Sequence, residues 1–402
     1  MGFKYEFCSL GDLTDFSSGG TPSKKVAAYW NGNIPWISAK TLKEDDIYTS
    51  NLFITQEGLE AGSKIADAGS LLILTRGSGL FKDIPIGYVA APVAFNQDIK
   101  AISVTAKNQI SSRFLFYALK SCKSKISEMI ETTGIGAGKL STDRLLSIKL
   151  PIPNKEIQQK ILSIVRPIDN RINLNNQIND YLAELLDARF KQILADADND
   201  WKRASLLDIA SYKNGLAMQK FRPEGNDKGL PVLKIRELGQ GYCGPDAERC
   251  RSDIDESVII HDGDLVFSWS GTLLLDFWAA GDAGLNQHLF KVTSEDYPSW
   301  LYYMWTKHHL RRFIAMAKDR ATTMGHIKRS ALQESEVLIP PNEMLSELTS
   351  VMQPMIDEMI ALKIQSRKLG ELRDALLPKL MSGDVDVSHV DITQLNNHLS
   401  AD

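Results

Sequence analysis

Leu150-Pro151-Ile152-Pro153-Asn154 opens a stretch with apolar residues at Ile157, Ile161, Ile164, Ile168, Ile172, Ile178, Leu182, Leu186 and Ile193. The string returns 188 residues later as Leu338-Ile339-Pro340-Pro341-Asn342, ahead of Leu345, Leu348, Met352, Met355, Met359, Leu362, Leu369, Leu376 and Leu380. Spacings of three, four and seven fit one face of a helix, not the alternation of a strand. Pro167 and Pro354 stand at matched places near the start of each series. Each is expected to kink or restart its helix, because the ring removes a backbone donor. A single stripe of this kind would simply cover a core. Two matched stripes, each behind a matched globular segment, favour mutual pairing as a coiled coil.

Upstream of the helices the correspondence continues in order. Leu10-Gly11-Asp12-Leu13 matches Leu206-Leu207-Asp208-Ile209, and Ile34-Pro35-Trp36-Ile37 matches Leu230-Pro231-Val232-Leu233, both at a separation of 196. Gly69-Ser70-Leu71-Leu72-Ile73 matches Gly263-Asp264-Leu265-Val266-Phe267 at 194, and Phe95-Asn96-Gln97-Asp98-Ile99 matches Leu285-Asn286-Gln287-His288-Leu289 at 190. Thr132-Thr133 returns as Thr322-Thr323. Between these anchors the halves differ almost completely, so the repeat keeps a scaffold and changes what it displays. Short apolar runs broken by Gly, Pro and Asn read as strands and turns, as in Ser70 to Thr75 and Asp264 to Trp269. A helix follows in each half, roughly Ser112 to Glu131 and Pro298 to Lys318. The fold class is therefore α+β: two repeated mixed α/β domains, each followed by a long helix. The boundaries read as 1–154 for the first domain, 155–199 for a central helical spacer and 200–341 for the second domain. A C-terminal helical spacer, 342–383, and a polar tail, 384–402, complete the chain.

A length of 402 residues, with 43% hydrophobic and 24% charged, belongs to an ordinary globular protein of two or three domains. Met1 to Leu10 lack a basic region followed by an apolar one, and no apolar run approaches the ~20 residues that span a bilayer. No membrane association and a cytoplasmic location are expected. Cys8, Cys122, Cys243 and Cys250 are too sparse for a disulfide framework, and Cys243 and Cys250 have no partners to complete a zinc set. They read as reduced loop or core thiols.

Several catalytic readings fail. Gly134-Ile135-Gly136-Ala137-Gly138-Lys139 lacks the Gly (Thr133 stands there) and the Ser or Thr (Leu140) of a phosphate-binding loop, and follows a helical stretch. A flexible basic loop able to meet a nucleic-acid backbone is the better reading. Methyltransferase tetrapeptides and Gly-x-Ser-x-Gly elbows do not occur. His308, His309 and His326 lack acidic or cysteine partners at metal-binding spacing and read as helix-surface histidines. Catalysis by this chain alone is not indicated.

What remains is polar and basic display. Net charge is −4, which leaves room for local basic patches. Arg311, Arg312, Lys318, Arg320, Lys328 and Arg329 face a single acid, Asp319, around a turn with Thr322, Thr323 and His326. In the first half Lys120, Lys123, Lys125, Lys139 and Arg144 occupy the matching region. Such runs are either solvated faces or phosphate contacts, and their recurrence raises the second reading. Arg76 and Lys82 follow one glycine-led strand; Trp269, Ser270 and Thr272 follow the other. Trp36 and Trp269 are equally readable as core aromatics.

Taken in this order, the motifs resemble the specificity subunits of type I restriction-modification systems, often called HsdS. The likeness covers nearly the whole chain. It rests on Gly19-Gly20-Thr21-Pro22-Ser23, Tyr29-Trp30-Asn31-Gly32, Ile34-Pro35-Trp36-Ile37-Ser38, the two Asn-Gln anchors, the proline-rich helix entries and Leu376-Leu377-Pro378-Lys379-Leu380-Met381-Ser382-Gly383. The resemblance implies two target-recognition domains, each reading one half of a split double-stranded DNA sequence, and antiparallel helices that give pseudo-twofold symmetry. It implies a non-catalytic chain that directs adenine methylation and ATP-dependent restriction by two methyltransferase (HsdM) and two motor-nuclease (HsdR) subunits. The chain itself then binds no cofactor; S-adenosylmethionine, ATP and Mg belong to the partners. A helix of roughly 38 residues would be about 57 Å long, a ruler between half-sites.

The residues expected at DNA in the first domain are Lys24, Lys25, Trp36, Ser38, Lys40, Arg76, Ser78, Lys82, Asn96, Gln97 and Lys139. In the second they are Lys220, Arg222, Lys234, Arg236, Trp269, Ser270, Thr272, Asn286, Gln287, Arg320, Thr322, Thr323, His326, Lys328 and Arg329. Cations would sit on phosphates, while amides, hydroxyls and arginines would read base edges. Two other readings stay open: a protein-interaction scaffold, and an enzyme with an unrecognised site.

Overall fold

The computed structural model describes residues 5–134, 136–198, 200–319 and 326–390. The chain divides into two compact units, Met1–Asp169 with Glu371–Asp402, and Asn170–Gly370. Each unit therefore holds the start of one long helix and the end of the other.

In the first unit, Leu71–Leu74 is the centre of a five-stranded sheet, between Ile99–Val104 and Ile86–Val89, with Thr14–Ser18 and Asp46–Ile47 at the edges. Its four consecutive apolar side chains are all buried, the pattern of a strand covered on both faces. A four-stranded sheet adds Phe53–Ile54, Trp30–Ile37, Val93–Phe95 and Lys64–Ala66, in that order. Within it Trp30–Ile37 and Val93–Phe95 run parallel, with Phe95 opposite Ile37.

The second unit repeats the plan. Leu265–Ser268 lies between Leu289–Thr293 and Leu275–Phe277. Leu230–Leu233 runs parallel to Ala283–Leu285, with Leu285 opposite Leu233. The halves also share a close approach at glycine. A Cβ on Gly19 would lie 2.1 Å from the Phe95 carbonyl oxygen, and one on Gly215 2.1 Å from that of Leu285. The backbone passes there only without a side chain.

The long helices are Lys155–Ala195 and Asn342–Ser382, 41 residues each and about 62 Å at 1.5 Å per residue. The constant separation here is 187 residues (155 to 342), not the 188 of the matched strings. Asn154 accepts the Gln158 N–H through its backbone carbonyl, and Pro341, not Asn342, does so for Leu345. Asn154 also caps with its side chain, which accepts the Ile157 N–H at 2.9 Å. Pro167 and Pro354 do not restart the helices, each of which runs unbroken through its proline.

The helices pack against each other antiparallel: Arg373 meets Asp169 in the first unit, and Gln365 meets Asn175 in the second. In the first unit Ile157, Ile161 and Val165 share a core with Leu377, Leu380 and Met381. In the second, Leu186, Phe190 and Ile193 share one with Met352, Ile356 and Met359. Asn175, fully buried in the seam, donates to Gln365 Oε1 at 2.8 Å, the kind of polar contact that pins register in a helix pair.

Two further expectations change. The first domain's helix is Ser112–Ser121, followed by a separate Lys123–Ser127, whereas Ser299–Asp319 is continuous. Part of the polar tail is anchored: Val387 is buried in the first core, and Ser388 accepts from Lys160 Nζ through its carbonyl. Residues 391–402 lie outside the described residues. Among the described residues no helix is long and apolar enough to cross a membrane.

Candidate nucleic-acid interface

In the first unit the central strand continues through Thr75 into Arg76–Gly77, which pairs antiparallel with Gly138–Lys139. Arg76 and Lys139 become direct cross-strand partners. Gly138–Lys139 pairs in turn with Glu131–Thr132, and Gly136 turns the hairpin at φ +75°. The glycine-rich segment is thus a β-hairpin and not the flexible loop expected, although Ile135 within it lies outside the described residues. Like charges placed opposite each other repel. Both are exposed, and neither forms an ion pair among the described residues. Lys82, exposed and equally unpaired, follows the one-turn helix Ser78–Phe81, whose first residue Ser78 also faces solvent. Such a patch favours a polyanion.

The second unit builds the same bridge from other residues. Ser270 pairs antiparallel with His326, which therefore sits in a β-bridge and not on a helix surface. Ile327 N–H donates to the Trp269 carbonyl at 2.9 Å, as Leu140 N–H does to Thr75 at 2.8 Å. Ser270 Oγ lies 3.1 Å from His288 Nδ1, and the Trp269 ring leans on His288 and Phe290 and meets His326 edge-on. Thr272, Lys328 and Arg329 are exposed, and neither cation has an ion-pair partner among the described residues. Arg320, Thr322 and Thr323 lie outside the described residues.

A second grouping forms where the parallel strands end. Because Ile37 and Phe95 are in register, the residues that follow both strands emerge side by side. Lys24, Trp36, Ser38, Lys40, Asn96 and Gln97 line one cleft of about 700 Å³ with Thr21 and Asn51. Lys25 is exposed but is not among its lining residues. Their roles differ. Trp36 is 3% exposed, donates its indole N–H to the Gly20 carbonyl at 3.1 Å and packs edge-on against Trp30, so it is a core wall with no free donor. Asn96 is buried, and its side chain accepts from the Asp98 N–H at 3.2 Å and donates to the Asp98 carboxylate at 3.1 Å. Asn286 closes the same turn with the His288 N–H. The repeated asparagine is a structural device. Gln97, exposed beside it, accepts from Thr21 Oγ1 at 2.5 Å, while Gln287 lies half-buried beside His288.

At the matching strand end of the second unit, cations meet carboxylates. Arg222 and Lys234 both contact Glu248, and Arg236 contacts Glu237 and Asp246. The Lys234 hydrogen bond holds the Glu248 carboxyl below its usual range. A phosphate would have to displace these partners. Lys220 is exposed and unpaired among the described residues. Three members of the first unit's basic run are likewise engaged within the fold: Lys120 with Asp45, Lys123 with Asp83, Arg144 with Glu131. In the second unit, Arg312 donates to the Ala331 carbonyl and to Ser335 Oγ.

Sequence reading missed Asn51, which carries no local signal, and Thr21, which stands inside a quoted string but was not singled out. The four thiols form no disulfide with one another. Burial pushes that of Cys243 up to about 12, away from reactivity. Among the described residues no cluster of His, Cys, Asp or Glu is suited to a metal ion.

Fold and surfaces define a class: a two-part recognition protein in which one scaffold, used twice, displays two different sets of polar side chains. Comparison with known proteins makes that class particular. The family described as "Type I restriction modification DNA specificity domain" matches residues 4–184. The chain is 26% identical over 421 residues to the type I restriction enzyme MjaIX specificity subunit of Methanocaldococcus jannaschii, covering 95% of this chain and 93% of that one. It is 33% identical over 189 residues, 46% of each chain, to the EcoR124I/EcoR124II specificity subunit of Escherichia coli. A crystal structure of the type I restriction-modification S subunit from M. genitalium shares the fold, with a TM-score of 0.55 at 15% identity over 94% of this chain and 96% of that one. The chain is thus similar over nearly its whole length to type I restriction-modification specificity subunits, and residues 4–184 carry the family's domain. The role that these likenesses indicate is sequence specificity within such a system.

Proposed function

We propose that residues 1–154 and 200–341 each read one half of a split, asymmetric double-stranded DNA sequence. The observation that carries this reading is the repeated β-bridge. At one scaffold position the first unit presents Arg76 and Lys139, and the second presents Ser270 and His326. Two half-sites of unrelated sequence require such unlike displays. Arg76, Lys82 and Lys139, with Lys24, Lys25 and Lys40 at the cleft, contact phosphates in the first half. Lys220, Lys328 and Arg329 do so in the second. Ser38, Ser78 and Gln97, and Thr272 and Gln287, are the base-reading candidates, while Ser270, 4% exposed and bonded to His288, supports them.

The chain directs adenine methylation, and ATP-dependent restriction, by two methyltransferase and two motor-nuclease subunits, which hold S-adenosylmethionine, ATP and Mg. The first long helix offers a docking stripe for a methyltransferase. Leu174, Tyr181 and Leu185, spaced by seven and four on one face, are 46%, 70% and 48% exposed. Single-molecule methylome sequencing of a host with this chain and its cognate methyltransferase, against a host lacking only this chain, tests the reading. A split adenine-methylated motif that vanishes on deletion is expected. An unchanged methylome would refute it.

A further inference from the structure

Just beyond the shared bridge the two units differ in length. Arg76 and Ser270 hold the same place, and the chain returns to the sheet where the Leu74 N–H donates to the Pro85 carbonyl in one unit and the Ser268 N–H to that of Leu274 in the other. From Arg76 to Pro85 is nine residues (76 to 85), but from Ser270 to Leu274 only four (270 to 274), so the first unit carries five extra residues, in and around the one-turn helix Ser78–Phe81. Leu80, 2% exposed, anchors that turn: its Cβ lies 3.0 Å from the place a Cβ on Gly138 would take, next to Lys139. The Lys82 and Asp83 N–H groups both donate to the Gly79 carbonyl, at 3.0 and 3.2 Å. With Leu80 held inward, the next side chain, Phe81, stands outward and is 52% exposed. A lone exposed ring needs no explanation in itself. This one stands on a segment that the scaffold does without in its second use, beside Lys82 and on a turn that packs against the strand of Lys139. Arg76, Lys82 and Lys139 have no ion-pair partner among the described residues. The adjoining acids, Asp83 next to Lys82 and Glu131 across from Lys139, are engaged by Lys123 and Arg144.

We propose that Phe81 packs against the 5-methyl group of a thymine in the half-site read by residues 1–154, an inference that rests on the DNA-reading role proposed above. A phenyl ring has neither donor nor acceptor, so it cannot pair with the polar atoms of a base edge. The thymine methyl is the one apolar group among the base-edge features of the major groove. Arg76, Lys82 and Lys139 hold the phosphates around the ring, and burial of the methyl against it supplies the discrimination. The second unit's shorter connection, Gly271 to Leu274, has no aromatic residue, so the contact belongs to one half-site only.

The test uses the reconstituted methyltransferase complex containing the full chain, on a duplex carrying its methylated motif. Each thymine of the motif, on both strands and in both half-sites, is replaced in turn by deoxyuridine, which lacks only the 5-methyl. At one position affinity should fall about fourfold, the ratio that ~0.8 kcal/mol for one buried methyl-sized group gives. Phe81→Ala should lower affinity for the parent duplex about as much and abolish the difference at that position, while Phe81→Leu, which keeps an apolar tip, should retain part of it. Deoxyuridine at every other position should act alike on parent and variants. A binding, methylating complex with no position whose uracil sensitivity depends on Phe81 would overturn the proposal. So would a loss in Phe81→Ala as large on every substituted duplex as on the parent one, the mark of an apolar wedge between base steps. Loss of the methyltransferase subunits from the Phe81→Ala complex before DNA is added would overturn it too, by making the ring a protein contact. Failure of the parent complex to bind or methylate the duplex at all would instead strike at the DNA-reading role itself.

Discussion

Replacing Asp169 by alanine should loosen the first unit by about 3 kcal/mol, the lower end of the ~3–5 kcal/mol that breaking a buried ion pair costs. The carboxylate accepts from Tyr117 Oη and from Arg373 Nη1, each at 2.7 Å. Tyr117 is 2% exposed, and the Arg373 side chain 18%. Without Asp169 a phenol and a guanidinium lose their buried acceptor, though Arg373 keeps Asp374. Burial, and then the neighbouring Asp169 charge, already raise the Tyr117 hydroxyl above its ordinary value, so it cannot ionise to compensate. The repeat supplies the control. At the constant separation of 187 (Ser112 to Ser299, Lys155 to Asn342), these three residues correspond to Met304, Ile356 and Leu186. All three are buried in the second unit's core. The triple substitution Y117M/D169I/R373L therefore installs a packing that the scaffold already uses. It should leave stability unchanged or raise it by about 1–4 kcal/mol. Hydrogen-exchange mass spectrometry of the helix Ser112–Ser121 reads both effects. At ~1.4 kcal/mol per decade, D169A should speed exchange about a hundredfold and the triple variant should not. Exchange in D169A within a factor of two of the parent, or a triple variant as fast as D169A, would refute the reasoning.

Removing both cross-strand cations, R76A/K139A, should lower the salt dependence of DNA binding by about 1.8 in log–log slope, ~0.9 per lost phosphate contact, and leave the half-site read by residues 200–341 unchanged. Filter binding between low and moderate salt measures the first effect and methylome sequencing the second. Burial lowers the His309 pKa below its ordinary value, so the folded second unit prefers the neutral ring. That stability is complete above about pH 6.5 and is lost as pH falls toward the depressed folded value. Denaturant midpoints at pH 7.5 and 5 should therefore diverge more in the parent than in His309→Gln. Y181D/L185E should abolish co-purification with the methyltransferase while the chain's circular dichroism stays unchanged, because both side chains face solvent.

The architecture was legible because main-chain requirements repeat. Parallel pairing at Ile37 and Leu233, buried runs at Leu71 and Leu265, and asparagine turns at Asn96 and Asn286 are imposed by the fold twice, so they survive in both halves of the sequence. The Gly19–Gly215 equivalence went unread because one glycine in a variable stretch is a weak signal until the carbonyl beside it is seen. The helix register slipped by one residue because a shared Pro-Asn string was stronger on paper than the i+4 hydrogen bond that sets the helix start. Charge was the least legible property. Arg222, Lys234 and Arg236 are indistinguishable in sequence from Arg76 and Lys139, and only contacts over distance show that the first three meet carboxylates. Trp36 and Asn96 hold up the cleft whose exposed members lie beside them, a support that their residue types alone do not announce.

That separation between support and display would let one scaffold serve the two unrelated half-sites proposed for it. The bonds that fix the bridge are donated and accepted by main-chain atoms, Leu140 to Thr75 in one unit and Ile327 to Trp269 in the other. They place no demand on the side chains of Arg76, Lys139, Ser270 or His326. Substitution at Arg76 or Lys139, both exposed, changes what faces the ligand at little cost to folding, whereas substitution at Gly19, Trp36 or Asn96 disturbs the support. Change in specificity should therefore concentrate at bridge and strand-end side chains whose backbone is already bonded. The Tyr117–Asp169–Arg373 triad and its apolar counterpart extend the same logic to the core. Where a position is enclosed by the helix pair, the scaffold accepts either a fully partnered ionic set or a fully apolar one. Half of either set would leave a buried group unsatisfied.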